Sequence, residues 1–137
     1  MNPPLPSILL IEDTLDHARL LEKNMEYLGV RNEILHFSSG VKAAKFLFGK
    51  DAAYPPLLLI LIDLNLPGIT GIELLRQIAL HDQLSPIPRM IITSSDNVQK
   101  MELCNSIGHE GYLIKPINYI KLAGVIHNLT QEFLQQA

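Results

Sequence analysis

Four short apolar runs in this chain each end in residues able to do chemistry. SILLI is followed by Glu12 and Asp13, LLLILI by Asp63, the run through Met90–Ile92 by Thr93 and Ser94, and Tyr112–Ile114 by Lys115. Three carboxylates within a few ångströms repel one another and need a proton or a cation between them. Carboxylate oxygens suit Mg²⁺, which keeps several waters and readily adds phosphate oxygens. Lys115 supplies a mobile positive charge, and Thr93 a hydroxyl donor. An aspartate beside a divalent cation and a lysine can attack phosphorus, because both cations offset charge on the transferring oxygens. The chemistry is phosphoryl capture.

Each residue also has an ordinary explanation. An acidic pair after a strand can cap a helix, and Asp63 before Asn65 and Pro67–Gly68 can form a turn. Thr93 with Ser94, Ser95 and Asp96 can be a capping run, and Lys115–Pro116 a loop. None of these explanations requires the residues to share one edge of a sheet.

The elements that would position them follow from periodicity. Ser7–Ile11 reads as a strand buried on both faces. From Leu15 to Leu28, Leu21, Met25 and Leu28 form a helical stripe that Gly29 closes. Glu33–Phe37 is a short strand, and Ser38 or Ser39 caps a helix to about Phe48. Leu57–Ile62 is the most apolar segment and should be the central strand. After the Pro67–Gly68 turn, Gly71–Leu80 reads as helix, Met90–Ile92 as strand and Val98–Ile107 as helix. Tyr112–Ile114 is the last strand, and Leu122, Val125, Ile126, Leu129 and Phe133 mark a final buried stripe. Five βα units predict an α/β fold with a doubly wound parallel sheet. In such sheets ligands bind beyond the carboxyl ends of the strands.

Composition narrows the classes. With 137 residues, 47% hydrophobic and 18% charged, the chain reads as one globular domain over 1–137. A net charge of −3 gives no electrostatic case for nucleic acid or an anionic membrane. The lone Cys104 excludes an internal disulfide and fits a reducing compartment. No run approaches the roughly 18 apolar residues of a membrane span, and MNPPLPS is not a secretion signal. A cytoplasmic protein is expected. The five histidines, His17, His36, His81, His109 and His127, show no metal-ligand spacing.

At ILLIED, LLLILIDLNLPGITGIELL, IPRMIITSS and GYLIKP the sequence resembles the receiver domain of two-component response regulators. The likeness spans nearly the whole chain, including the 30 residues from Asp63 to Thr93 and the 22 from Thr93 to Lys115. It implies a flavodoxin-like (βα)5 fold with strand order 2-1-3-4-5. It further implies that Asp63 accepts phosphate from a phosphohistidine on a sensor histidine kinase or a phosphotransfer protein. Asp13, Asp63 and the Asn65 backbone carbonyl would bind Mg²⁺, with Glu12 acting through water. Lys115 would contact the phosphoryl group, and Pro116 would follow a cis bond. Thr93 and Tyr112 would form the switch, remodelling the face of the fourth helix, last strand and fifth helix for a downstream protein partner. Asn65 and Ser95 would tune the lifetime of the phosphorylated state.

The protein would be no enzyme beyond catalysing its own phosphorylation and dephosphorylation, and would act as a monomer or homodimer. The DLNLPG centre resembles stand-alone regulators paired with bacteriophytochrome-type kinases, and no second domain is expected. Three residues depart from the family pattern: Glu12 where aspartate is commoner, Arg89 at the start of a strand, and His109 where alanine is usual. For Arg89, either the guanidinium reaches water at the sheet's lower rim or the strand assignment is wrong. Two rivals remain. A haloacid-dehalogenase-type phosphatase needs a second aspartate two residues after its nucleophile, where this chain has Asn65. A receiver-like binding module that is never phosphorylated usually lacks an acidic residue or the lysine. A nucleotide-binding fold is weaker still, lacking a glycine-rich phosphate loop.

Overall fold

The computed structural model describes residues 4–94 and 98–136. Its elements alternate as β1 (Ser7–Ile11), α1 (Leu15–Tyr27), β2 (Ile34–Phe37), α2 (Gly40–Phe48) and β3 (Leu57–Asp63), followed by α3 (Gly71–Leu80), β4 (Arg89–Thr93), α4 (Val98–Ile107), β5 (Gly111–Ile114) and α5 (Tyr119–Gln136). All four strand pairings are parallel, in the order β2-β1-β3-β4-β5. The expected flavodoxin-like sheet is observed, with β3 at its centre. No helix among the described residues is long and apolar enough to cross a membrane.

The continuous apolar strands feed two cores because successive side chains point to opposite faces. Ile8 and Leu10 join Leu61, α1 (Ala18, Leu21, Met25) and α5 (Leu122, Ala123, Ile126) on one side. Leu9, Ile11, Ile60 and Ile62 join α2 (Ala43, Leu47), α3 (Leu74, Leu75, Ile78) and Cys104 of α4 on the other. Strands covered on both faces have no polar face to show, which is why they read as unbroken hydrophobic runs.

Two glycines fix the backbone beside the end of β3. Gly68 has φ +72°, which its turn requires. A Cβ on Gly71 would overlap the Asp63 carbonyl, so only glycine lets α3 start against that strand end. Ser39 and Thr70 cap α2 and α3 through their hydroxyls. Thr14, at the N-cap of α1, makes no such bond.

Arg89 does begin the fourth strand, at the end of the sheet opposite the site. It is only 8% exposed. Its Nε donates to the Gly108 carbonyl at 3.0 Å and its Nη1 to those of Ser85 (3.1 Å) and Ile87 (3.4 Å). Loop carbonyls take the hydrogens of Nε and Nη1, which is how a largely buried guanidinium is tolerated.

Candidate functional site

Parallel pairing brings the ends of β1, β3, β4 and β5 to one edge, and backbone bonds lock them there. Glu12 N–H donates to Phe37, Leu64 N–H to Ile92, and Lys115 N–H to Thr93, at 3.1, 3.0 and 2.8 Å. Glu12, Asp13 and Asp63 each present a carboxylate oxygen, all within 4.8 Å of one another. Glu12 and Asp63 are each 2% exposed, whereas Asp13 is exposed to solvent.

Lys115 closes the cluster. Its Nζ lies 3.1 Å from Asp63 Oδ2 and 3.5 Å from Glu12 Oε1. The other Asp63 oxygen, Oδ1, accepts the Asn65 N–H at 2.8 Å. The carboxylate plane is therefore held from both sides. The Lys115–Pro116 peptide is cis.

The electrostatics follow from crowding. Burial, then a hydrogen bond and repulsion from Asp63, raise the Glu12 carboxyl to about 8, against lowering by Lys115 and the Thr14 N–H. Burial opposes the Lys115 ammonium, but hydrogen bonds and attraction from Asp63 and Glu12 together outweigh it and raise its pKa. The pocket is short of positive charge. An all-oxygen donor set crowded enough to retain a proton suits a hard divalent cation, which would displace that proton.

Thr93 stands apart from this cluster. It is 1% exposed, and its hydroxyl donates to the Ser94 carbonyl at 3.2 Å. Tyr112 is half-buried, its hydroxyl 2.6 Å from both the Met101 carbonyl and Asn105 Oδ1 of α4. His109 Nε2 lies 2.8 Å from the same Asn105 oxygen, and its ring centroid is 4.3 Å from that of Tyr112. Burial, and secondarily Cys104, raise the Tyr112 phenol above its usual range. Ser95 lies outside the described residues.

Two histidines without ligand spacing also reach the site. His17 Nδ1 is 3.2 Å from Lys115 Nζ and 3.5 Å from Glu12 Oε1. His36 Nε2 donates to the Glu12 carbonyl at 2.7 Å. For His17 a signal existed: it lies in the first turn of α1, near the strand end that carries Glu12 and Asp13. For His36 there was none beyond its place in the edge strand.

The profile of the response regulator receiver domain matches residues 8–127. The chain belongs to the response regulator receiver family. Receiver domains are signalling proteins of two-component systems rather than classical enzymes. Response regulator Rcp1 of Synechocystis is 30% identical over 136 residues, covering 98% of this chain and 92% of Rcp1. A receiver domain from Rhodospirillum rubrum superposes with a TM-score of 0.74 at 39% identity, covering 93% of this chain and 92% of its own. The Mn²⁺-bound form of Rcp1 gives 0.74 at 28% identity, over 96% of each chain. The phosphorylated cyanobacterial phytochrome response regulator RcpA gives 0.75 at 26%, over 97% and 96%.

Proposed function

We propose that this receiver is a phosphorylation-driven switch in which Asp63 is the phosphoacceptor. The observation that carries the reading is Lys115 Nζ at 3.1 Å from Asp63 Oδ2, beside carboxylates converging within 4.8 Å. The donor's histidine–phosphorus bond breaks as an Asp63 oxygen–phosphorus bond forms, and the bonding pair leaves on the imidazole nitrogen. Asn65 N–H orients the Asp63 carboxylate, and Lys115 follows the charge onto the phosphoryl oxygens. Mg²⁺, held by Asp13, Asp63 and the Asn65 carbonyl, with Glu12 reaching it through water, would neutralise those oxygens further.

Thr93 then turns toward the phosphoryl group, and Tyr112 rearranges against α4. That change presents the face of α4, β5 and α5 to a downstream protein. The donor is a sensor histidine kinase or phosphotransfer protein in the cytoplasm. The likeness to phytochrome response regulator RcpA supports a phytochrome-type kinase.

Incubation with acetyl phosphate and Mg²⁺ tests the reading. One phosphoryl mass should appear on the wild type and none on Asp63→Asn. Turnover of a phosphate ester would favour the phosphatase, and no modification the inert module.

A further inference from the structure

We infer that His17 is a positioning residue for Lys115, holding the ammonium at the rim of the acidic hollow through a neutral hydrogen bond. The inference rests on the phosphoacceptor reading above. An ammonium has three hydrogens and no lone pair, so any nitrogen it meets must accept. Among the described residues, Lys115 Nζ has three polar neighbours: Asp63 Oδ2 at 3.1 Å, His17 Nδ1 at 3.2 Å and Glu12 Oε1 at 3.5 Å. His17 Nδ1 is thus the acceptor, with the ring hydrogen on Nε2.

The fold explains how a residue 98 positions away in sequence arrives there. His17 is in the first turn of α1, and helical side chains lean toward the N-terminus. That lean carries the ring over the end of β1. His17, Glu12 and Lys115 line a cavity of about 440 Å³ together with Ala18, Ile117 and Tyr119, and among the described residues Glu12 is its one carboxylate.

The chemistry favours a neutral acceptor here. A third carboxylate would pair with Lys115 and draw it from Asp63. An apolar residue would leave one ammonium hydrogen to water and the flexible stem free to swing, since the Lys115 side chain is 29% exposed. The imidazole restrains the ammonium without diluting its charge. His17 itself is 54% exposed, so its replacement leaves both cores untouched.

The test compares wild type, His17→Leu and His17→Asn, in which the amide oxygen can take the place of Nδ1. Rates of phosphorylation by acetyl phosphate with Mg²⁺ are measured across donor concentrations. His17→Leu should lower the saturating rate about three- to ten-fold, the worth of one partly exposed hydrogen bond, and His17→Asn should restore it to within about two-fold. In the metal-free protein, the ¹H–¹⁵N signal of the Lys115 ammonium should persist in wild type and His17→Asn and broaden in His17→Leu. Equal rates for Leu and wild type, an Asn variant as slow as Leu, or an unchanged ammonium signal would overturn the proposal. A wild type that takes no phosphate would overturn the phosphoacceptor reading instead, while the ammonium signal would still decide the role of His17.

Discussion

The two sides of the strand edge are held in different ways. Around β1 and β3 the site rests on closely packed apolar residues: Ile8 to Ile11 and Leu59 to Ile62 are all fully buried, and α1 adds Ala18, Leu21 and Met25. On the other side, α4 contributes only Cys104 as a buried residue. It is tied to β5 largely by polar groups, through Tyr112, Asn105 and His109. An element with few buried contacts opens at low free-energy cost, and one in the core does not. The side carrying Asp63 is the more tightly packed of the two, and α4 is the element that opens more easily.

The largest effect should come from cutting the tightly packed side. Leu61→Ala, at a fully buried position of β3, should cost about 2–5 kcal/mol in denaturant unfolding. Next comes the crowded acidic pair. Glu12 keeps its proton in the folded state up to about pH 8 but releases it near 4.5 when unfolded. Between those values the folded state binds more protons, so the stability of the metal-free protein should fall as pH rises from about 4.5 to about 8. Below that window no penalty remains, and above it the penalty is complete. Saturating Mg²⁺ should flatten the slope, as thermal melts at stepped pH would record.

Arg89→Leu should cost about 1–3 kcal/mol, since it strips donors from the Ser85, Ile87 and Gly108 carbonyls. Tyr112→Phe should cost about 1 kcal/mol globally. Its signature is local: faster amide hydrogen exchange along α4, with β1 and β3 unchanged. Uniform acceleration in both halves would erase the contrast. Leu103→Ala, on α4 and 45% exposed, should change stability by no more than about 0.5 kcal/mol.

Much of this was legible in the sequence because burial on both faces leaves a simple mark. β1 and β3 appear as unbroken apolar runs, and the residue after each run is fixed to the sheet edge by topology alone. The helix ends were legible from Gly29, Gly49 and Gly108, although α4 itself has little apolar periodicity. What stayed hidden depends on partners distant in the chain. Arg89 looks foreign to a strand until the Gly108 carbonyl, 19 residues on, is brought to it. His17 looks like a surface residue until β5 delivers Lys115 beside it. The polar tether of Tyr112 needs α4 and the following loop together. Strand bounds also moved outward, to include Arg89, Thr93, Asp63 and Gly111, because ladder pairing rather than hydrophobicity sets where a strand stops.

The central question is whether Asp63 captures phosphate with the help of a cation held by its acidic neighbours. Peptide mapping after exposure to acetyl phosphate, with Mg²⁺ or with excess chelator, addresses that point directly. The expected result is one phosphoryl group confined to the peptide carrying Asp63 and lost with the chelator. A phosphoryl group on another residue, or equal labelling of Asp63 without divalent cation, would contradict it.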